Sequence, residues 1–93
     1  MTAENIIRQK ITFTGRVQGV GFRYRAKYAA SASRLTGWVK NEWDGSVLME
    51  VQGTPDNINK MLKTINSSPY IDIHWLTREP LPLEEHESGF HIR

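Results

Sequence analysis

Nine consecutive residues constrain this chain more than any others: Gly15-Arg16-Val17-Gln18-Gly19-Val20-Gly21-Phe22-Arg23. They run from an expected strand into an expected helix. Glycine tolerates positive φ and has no side chain to block an approach, so such a turn can aim successive N–H groups at one point. Those groups form an anion-binding hollow, and the following helix adds the positive end of its dipole. Arg23, just inside the helix, has the planar fork that grips two oxygens of one anion. A phosphate group held by backbone and Arg23 is one reading. A glycine turn that only reverses the chain is the other. There is no Lys-Ser or Lys-Thr pair after the glycines and no third glycine in dinucleotide register, so spacing alone leaves the anion unassigned.

At 93 residues the chain suits one domain, 1–93, burying roughly 60–65% of its unfolded surface. Residues 1–6 are expected to form a flexible N-terminus. The formal charge is only +2, with the twelve Lys and Arg residues scattered. That balance favours a small anionic ligand over a long polyanion. Cysteine is absent, which excludes disulfides, thiolate metal sites and cysteine nucleophiles. The opening Met1-Thr2-Ala3-Glu4-Asn5 shows no basic cluster or long apolar run. No secretory signal or transmembrane span is therefore expected, and the default location is the cytoplasm.

Ile7, Ile11 and Phe13 fall at strand spacing, with Gln9 the exception. Phe22 to about Ser33 lacks Gly and Pro and reads as a helix whose inward face is Phe22, Ala26, Ala29 and Ser33. Thr36–Asn41 reads as a second strand, Glu42-Trp43-Asp44-Gly45 as a hairpin turn, and Ser46–Gln52 as a third strand. Thr54-Pro55 starts a second helix, with Ile58, Met61, Leu62 and Ile65 as its core stripe. Ile71, Ile73 and Trp75 alternate as a fourth strand, Thr77–Gly89 reads as a loop, and Phe90 and Ile92 as a short last strand. The order β-α-β-β-α-β, plus a terminal edge strand, predicts an α+β ferredoxin-like sandwich: an antiparallel sheet with two helices on one face.

With those elements placed, two segments resemble the acylphosphatase family. Gly15–Arg23 reads like its phosphate-loop signature. Gly37-Trp38-Val39-Lys40-Asn41, with Gly45, Val47 and Gly53 following, matches its second motif. The resemblance implies hydrolysis of acyl phosphates to a carboxylate and inorganic phosphate, without a metal or other cofactor. It implies that Arg23 binds the phosphoryl group together with backbone N–H groups of Arg16, Val17, Gln18, Gly19, Val20 and Gly21, and that Asn41 positions the attacking water. One departure is visible: where the family often has Leu-Gly after the first helix, this chain has Ser33-Arg34. Gly suits the left-handed turn there, so Arg34 is expected to be mildly strained or otherwise capped.

The chemistry is consistent with such sparse equipment. Arginine stays protonated and an amide has no useful proton affinity, so neither Arg23 nor Asn41 is a general base. An acyl phosphate releases a carboxylate with a pKa of roughly 4, which needs no proton to depart. The phosphoryl transition state is loose, and positioning plus electrostatics supply most of the catalysis. Beside these roles stand plainer ones: a surface salt bridge for Arg23, a turn-starting amide for Asn41, and long-range attraction or a solvent-facing side chain for Arg16. His74, His86 and His91 lack metal-ligand spacing, and Glu84, Glu85 and Glu87 read as a solvated loop.

Two rivals share the topology. An RNA-binding module would stack bases on aromatics of the open sheet face, but the expected positions there are Lys10, Thr12, Leu48, Glu50 and Gln52. A non-catalytic anion-binding domain would keep the loop without turnover. The expected partner is a small acyl phosphate, with no nucleic acid, no membrane and a monomeric chain.

Overall fold

In the computed structural model, which describes residues 5–93, the chain runs β1 (Ile7–Arg16), α1 (Phe22–Ala32), β2 (Thr36–Asn41), β3 (Val47–Gly53), α2 (Pro55–Asn66), β4 (Asp72–Leu81) and β5 (Phe90–Ile92). The five strands form one sheet in the order β4-β1-β3-β2-β5. β1, β3, β2 and β4 pair antiparallel, as expected, and β5 lies parallel to β2, so the sheet as a whole is mixed. Most of the segment expected to be flexible, residues 1–4, lies outside the described residues.

Alternation places Ile11, Phe13, Val39, Val47, Met49 and Val51 on the inner face, where all are fully buried. Phe22, Ala26, Ala29 and Ala30 of α1 and Ile58, Met61 and Ile65 of α2 close over them. The small alanines allow α1 to lie close to the sheet; Ala30, not Ser33, completes its inward face. Thr54 caps α2 by accepting from the Asn57 N–H at 3.2 Å, and Pro55 occupies the first turn. α1 ends on Arg34 at φ 57°, in the left-handed region. Leu35 N–H donates to Ala30 O at 2.9 Å and Arg34 N–H to Ser31 O at 3.2 Å, the paired bonds of a Schellman ending built without glycine.

Two strands outrun their sequence signals. β1 continues past Phe13 to Arg16 through a register shift between Thr14 and Gly15. β4 continues past Trp75 to Leu81, so residues 77–81 form a strand where a loop was expected. β4 is an edge strand, exposed along most of its length, so burial imposes no alternation on it. An edge position also tolerates Pro80, which pairs with Gln9.

The sheet's outer face is not bare. Arg8 is only 3% exposed; its guanidinium donates to Glu50 Oε1 at 3.0 Å and to Glu87 Oε1 at 2.7 Å. The Gln52 amide both donates to Glu84 O and accepts from Glu84 N–H, clipping the 82–89 segment against the sheet. Glu87 is therefore an ion-pair partner, not part of a solvated loop. No helix among the described residues is long and apolar enough to cross a membrane.

Candidate active site

The register explains how residues 18 positions apart come to one site. Val47, the first residue of β3, pairs with Phe13 of β1 on one side and with Asn41 of β2 on the other. β1 and β2 are thus parallel, separated by one strand, and their C-terminal ends emerge together. The β1–α1 loop therefore reaches the end of β2 across the end of β3.

The loop itself is anchored at both ends. Val17 is 1% exposed and Phe22 2% exposed, and the Phe22 ring stacks at a tilt on Phe13, centroids 4.8 Å apart. Between these anchors Gly19 (φ 73°) and Gly21 (φ 78°) take left-handed conformations. A Cβ at either would meet no atom within 4 Å, so conformation, not space, calls for glycine there. Gly21 is the N-cap of α1; no side chain caps the helix and no acidic residue occupies its first turn. The first N–H groups of α1 therefore lack side-chain acceptors, with the helix dipole behind them.

A pocket of about 100 Å³ opens here, lined by Val17, Gly19, Gly21, Phe22, Arg23, Tyr24 and Asn41. Arg23 and Asn41 thus share one small concavity with the glycine backbone. Arg23 forms no side-chain hydrogen bond or salt bridge among the described residues. Asn41 Oδ1 is buried and has no hydrogen-bond partner among the described residues. A buried amide oxygen without a partner is costly. The Asn41 side chain does not serve the hairpin turn; Asp44 does, accepting from the N–H and hydroxyl of Ser46. Those bonds hold the Asp44 carboxyl below the usual carboxylate range.

Other loop residues are placed differently. Arg16, the last residue of β1, and Gly19 are exposed, and Val20 is half-buried against the core. Arg16, Gln18 and Val20 are not among the residues that line the pocket. Gln18 turns its side chain toward the β2–β3 turn, donating to Glu42 O at 2.7 Å and Ser46 O at 2.9 Å. Tyr24, for which the sequence suggested no role at the site, lines the pocket while remaining 61% exposed. Its position directly after Arg23 was the available signal. His74 pairs with Asp72 on the exposed edge strand, and among the described residues no three His, Cys, Asp or Glu side chains gather as a metal site. A larger groove between α2 and β4 shares no residue with this pocket.

An α+β sandwich of ferredoxin-like topology, with a small glycine-walled pocket at the β1–α1 junction, is the class defined by fold and pocket. The acylphosphatase family model matches residues 9–92, and the chain belongs to that family. An acylphosphatase from Geobacillus kaustophilus is 41% identical over 86 residues, covering 91% of this chain and 92% of its own. One from Clostridium perfringens is 40% identical over 86 residues, covering 91% and 97%. The crystal structure of acylphosphatase from Bacillus subtilis superposes with a TM-score of 0.85 at 32% identity, over 94% of this chain and 98% of that one. The structure of an acylphosphatase from Coxiella burnetii gives a TM-score of 0.86 at 31% identity, covering 100% of both chains.

Proposed function

We propose that this chain hydrolyses the carboxyl–phosphate bond of acyl phosphates, releasing a carboxylate and inorganic phosphate without a metal. The observation that supports the mechanism is the shared pocket, which Arg23 and Asn41 line together with the glycine backbone. Arg23 grips two phosphoryl oxygens, and N–H groups of residues 16–21 bind the others. Charge on the three equatorial oxygens of a loose transition state is met by fixed donors. The Asn41 carboxamide hydrogen-bonds the attacking water and turns the water's lone pair toward phosphorus. Water oxygen bonds to phosphorus as the P–O bond to the carboxylate breaks; the electron pair leaves with the carboxylate, and the water's proton passes to phosphate or solvent. No general acid is needed, because the leaving group is stable as an anion.

A pocket of about 100 Å³ is smaller than the roughly 300–1,000 Å³ of clefts that enclose whole ligands. It suits the phosphoryl end alone, leaving the acyl group outside. On the outer sheet face Arg8 bonds to Glu50, Gln52 and Glu87, Trp38 lies opposite Glu50 beneath the Arg93 guanidinium, and Trp75 stands exposed opposite Thr14. We place the enzyme in the cytoplasm as a monomeric single domain. The test is hydrolysis of benzoyl phosphate by purified protein in excess chelator. Steady turnover with competitive inhibition by inorganic phosphate is expected. Phosphate binding without turnover would make the chain a non-catalytic anion binder.

A further inference from the structure

The cup and Asn41 sit on different pieces of chain, and no ladder of backbone bonds joins them. β3 lies between β1 and β2, so the loop leaving β1 is free of β2 as far as sheet pairing goes. In-line attack is intolerant of slack at this junction, since a misplacement of 1 Å can cost about 100-fold in rate. One side chain spans the gap. Gln18 Nε2 donates to Glu42 O at 2.7 Å and to Ser46 O at 2.9 Å. Ser46 O also accepts from Glu42 N–H at 2.8 Å, so the carboxamide joins the bond that closes the β2–β3 turn. Glu42 directly follows Asn41. Among the described residues no other side-chain hydrogen bond links residues 16–21 to residues 41–46.

We infer that Gln18 is a positioning residue that sets the distance between the phosphate cup and Asn41. It touches neither phosphate nor water through its side chain; it holds the two walls of the site in register. The inference rests on the acylphosphatase reading of the pocket.

Gln18→Met keeps the length and bulk of the side chain while removing both N–H donors. Its kcat for benzoyl phosphate is expected to fall about 10-fold, with Ki for inorganic phosphate changed by less than about twofold. In an Asn41→Ala background the same substitution is expected to cost less than about twofold, because the water is already unheld. An unchanged kcat, an equal loss in both backgrounds, or a rise in Ki matching the fall in kcat would each overturn the inference. Failure of the wild type to hydrolyse any acyl phosphate would instead sink the functional reading. The clamp is then read by amide chemical shifts: inorganic phosphate should shift the Glu42 and Ser46 N–H signals of the wild type and not those of Gln18→Met. Equal shifts in both proteins would remove the clamp.

Discussion

Arg23 and Asn41 differ in what each gives up when truncated. In the proposed mechanism Arg23 meets charge that is present in substrate, product and transition state and is most concentrated on the oxygens in flight. Arg23→Ala should therefore raise Ki for phosphate and lower kcat/KM by about 10²–10³, the range found when a single oxyanion-stabilising donor is removed. Asn41→Ala should leave Ki near wild type and lower kcat by about 100-fold, measured by steady-state kinetics with benzoyl phosphate, because only the water loses its holder. That both would line one pocket was legible in the sequence because a chemical type stood at a telling place: a guanidinium just after a glycine turn, and an amide at a strand end. The Gln18 side-chain contacts were not legible. A glutamine in a loop has no spacing rule, and its partners are carbonyl groups whose nearness depends on strand register.

At the level of elements, α1 is unusual at both ends. It starts on a left-handed glycine with no capping side chain and ends on a left-handed arginine. A non-glycine residue in that conformation costs roughly 1–2 kcal/mol, partly offset by glycine's greater freedom in the unfolded chain. Arg34→Gly should stabilise the fold by about 0.5–1 kcal/mol, read as a Tm rise of about 4 °C, without altering turnover. Here the sequence carried the right warning, since a Ser-Arg pair stood where a helix must turn back. It was silent about β4, whose ten residues are held by pairing with β1 and not by a buried face. Periodicity reports burial, and an edge strand with little burial leaves no period to read.

Across the whole molecule, one ion cluster ties the second residue of β1 to the middle of β3 and to the segment before β5. Burial would lower the Arg8 pKa, but hydrogen bonds to Glu87 and Glu50 outweigh it and hold it above its ordinary value. Burial would likewise raise Glu87, yet the hydrogen bonds from Arg8 and Thr36 depress it. A depressed carboxyl stabilises the fold above the ordinary carboxylate range. That contribution fades as the pH falls from about 4.5 through the lower folded-state value. Glu87→Gln should thus be less stable than wild type at pH 7, and the difference in Tm should shrink as the buffer is taken to pH 3. Arg8→Ala, which leaves two carboxylates without their shared cation, should cost about 3 kcal/mol in urea denaturation. The sandwich topology was legible because its periods were; this cluster was not, since it joins residues 42 and 79 positions apart. The same long reach shapes the glycine turn: its walls come from strands that meet only once Val47 has paired with both Phe13 and Asn41. An unfolded chain has no such cup, so the reaction's own product becomes a folding ligand, worth about 2.7 kcal/mol at a hundred times its Kd. Melting followed across a phosphate series should climb accordingly, and an enzyme working where phosphate is abundant would trade some turnover for a longer life.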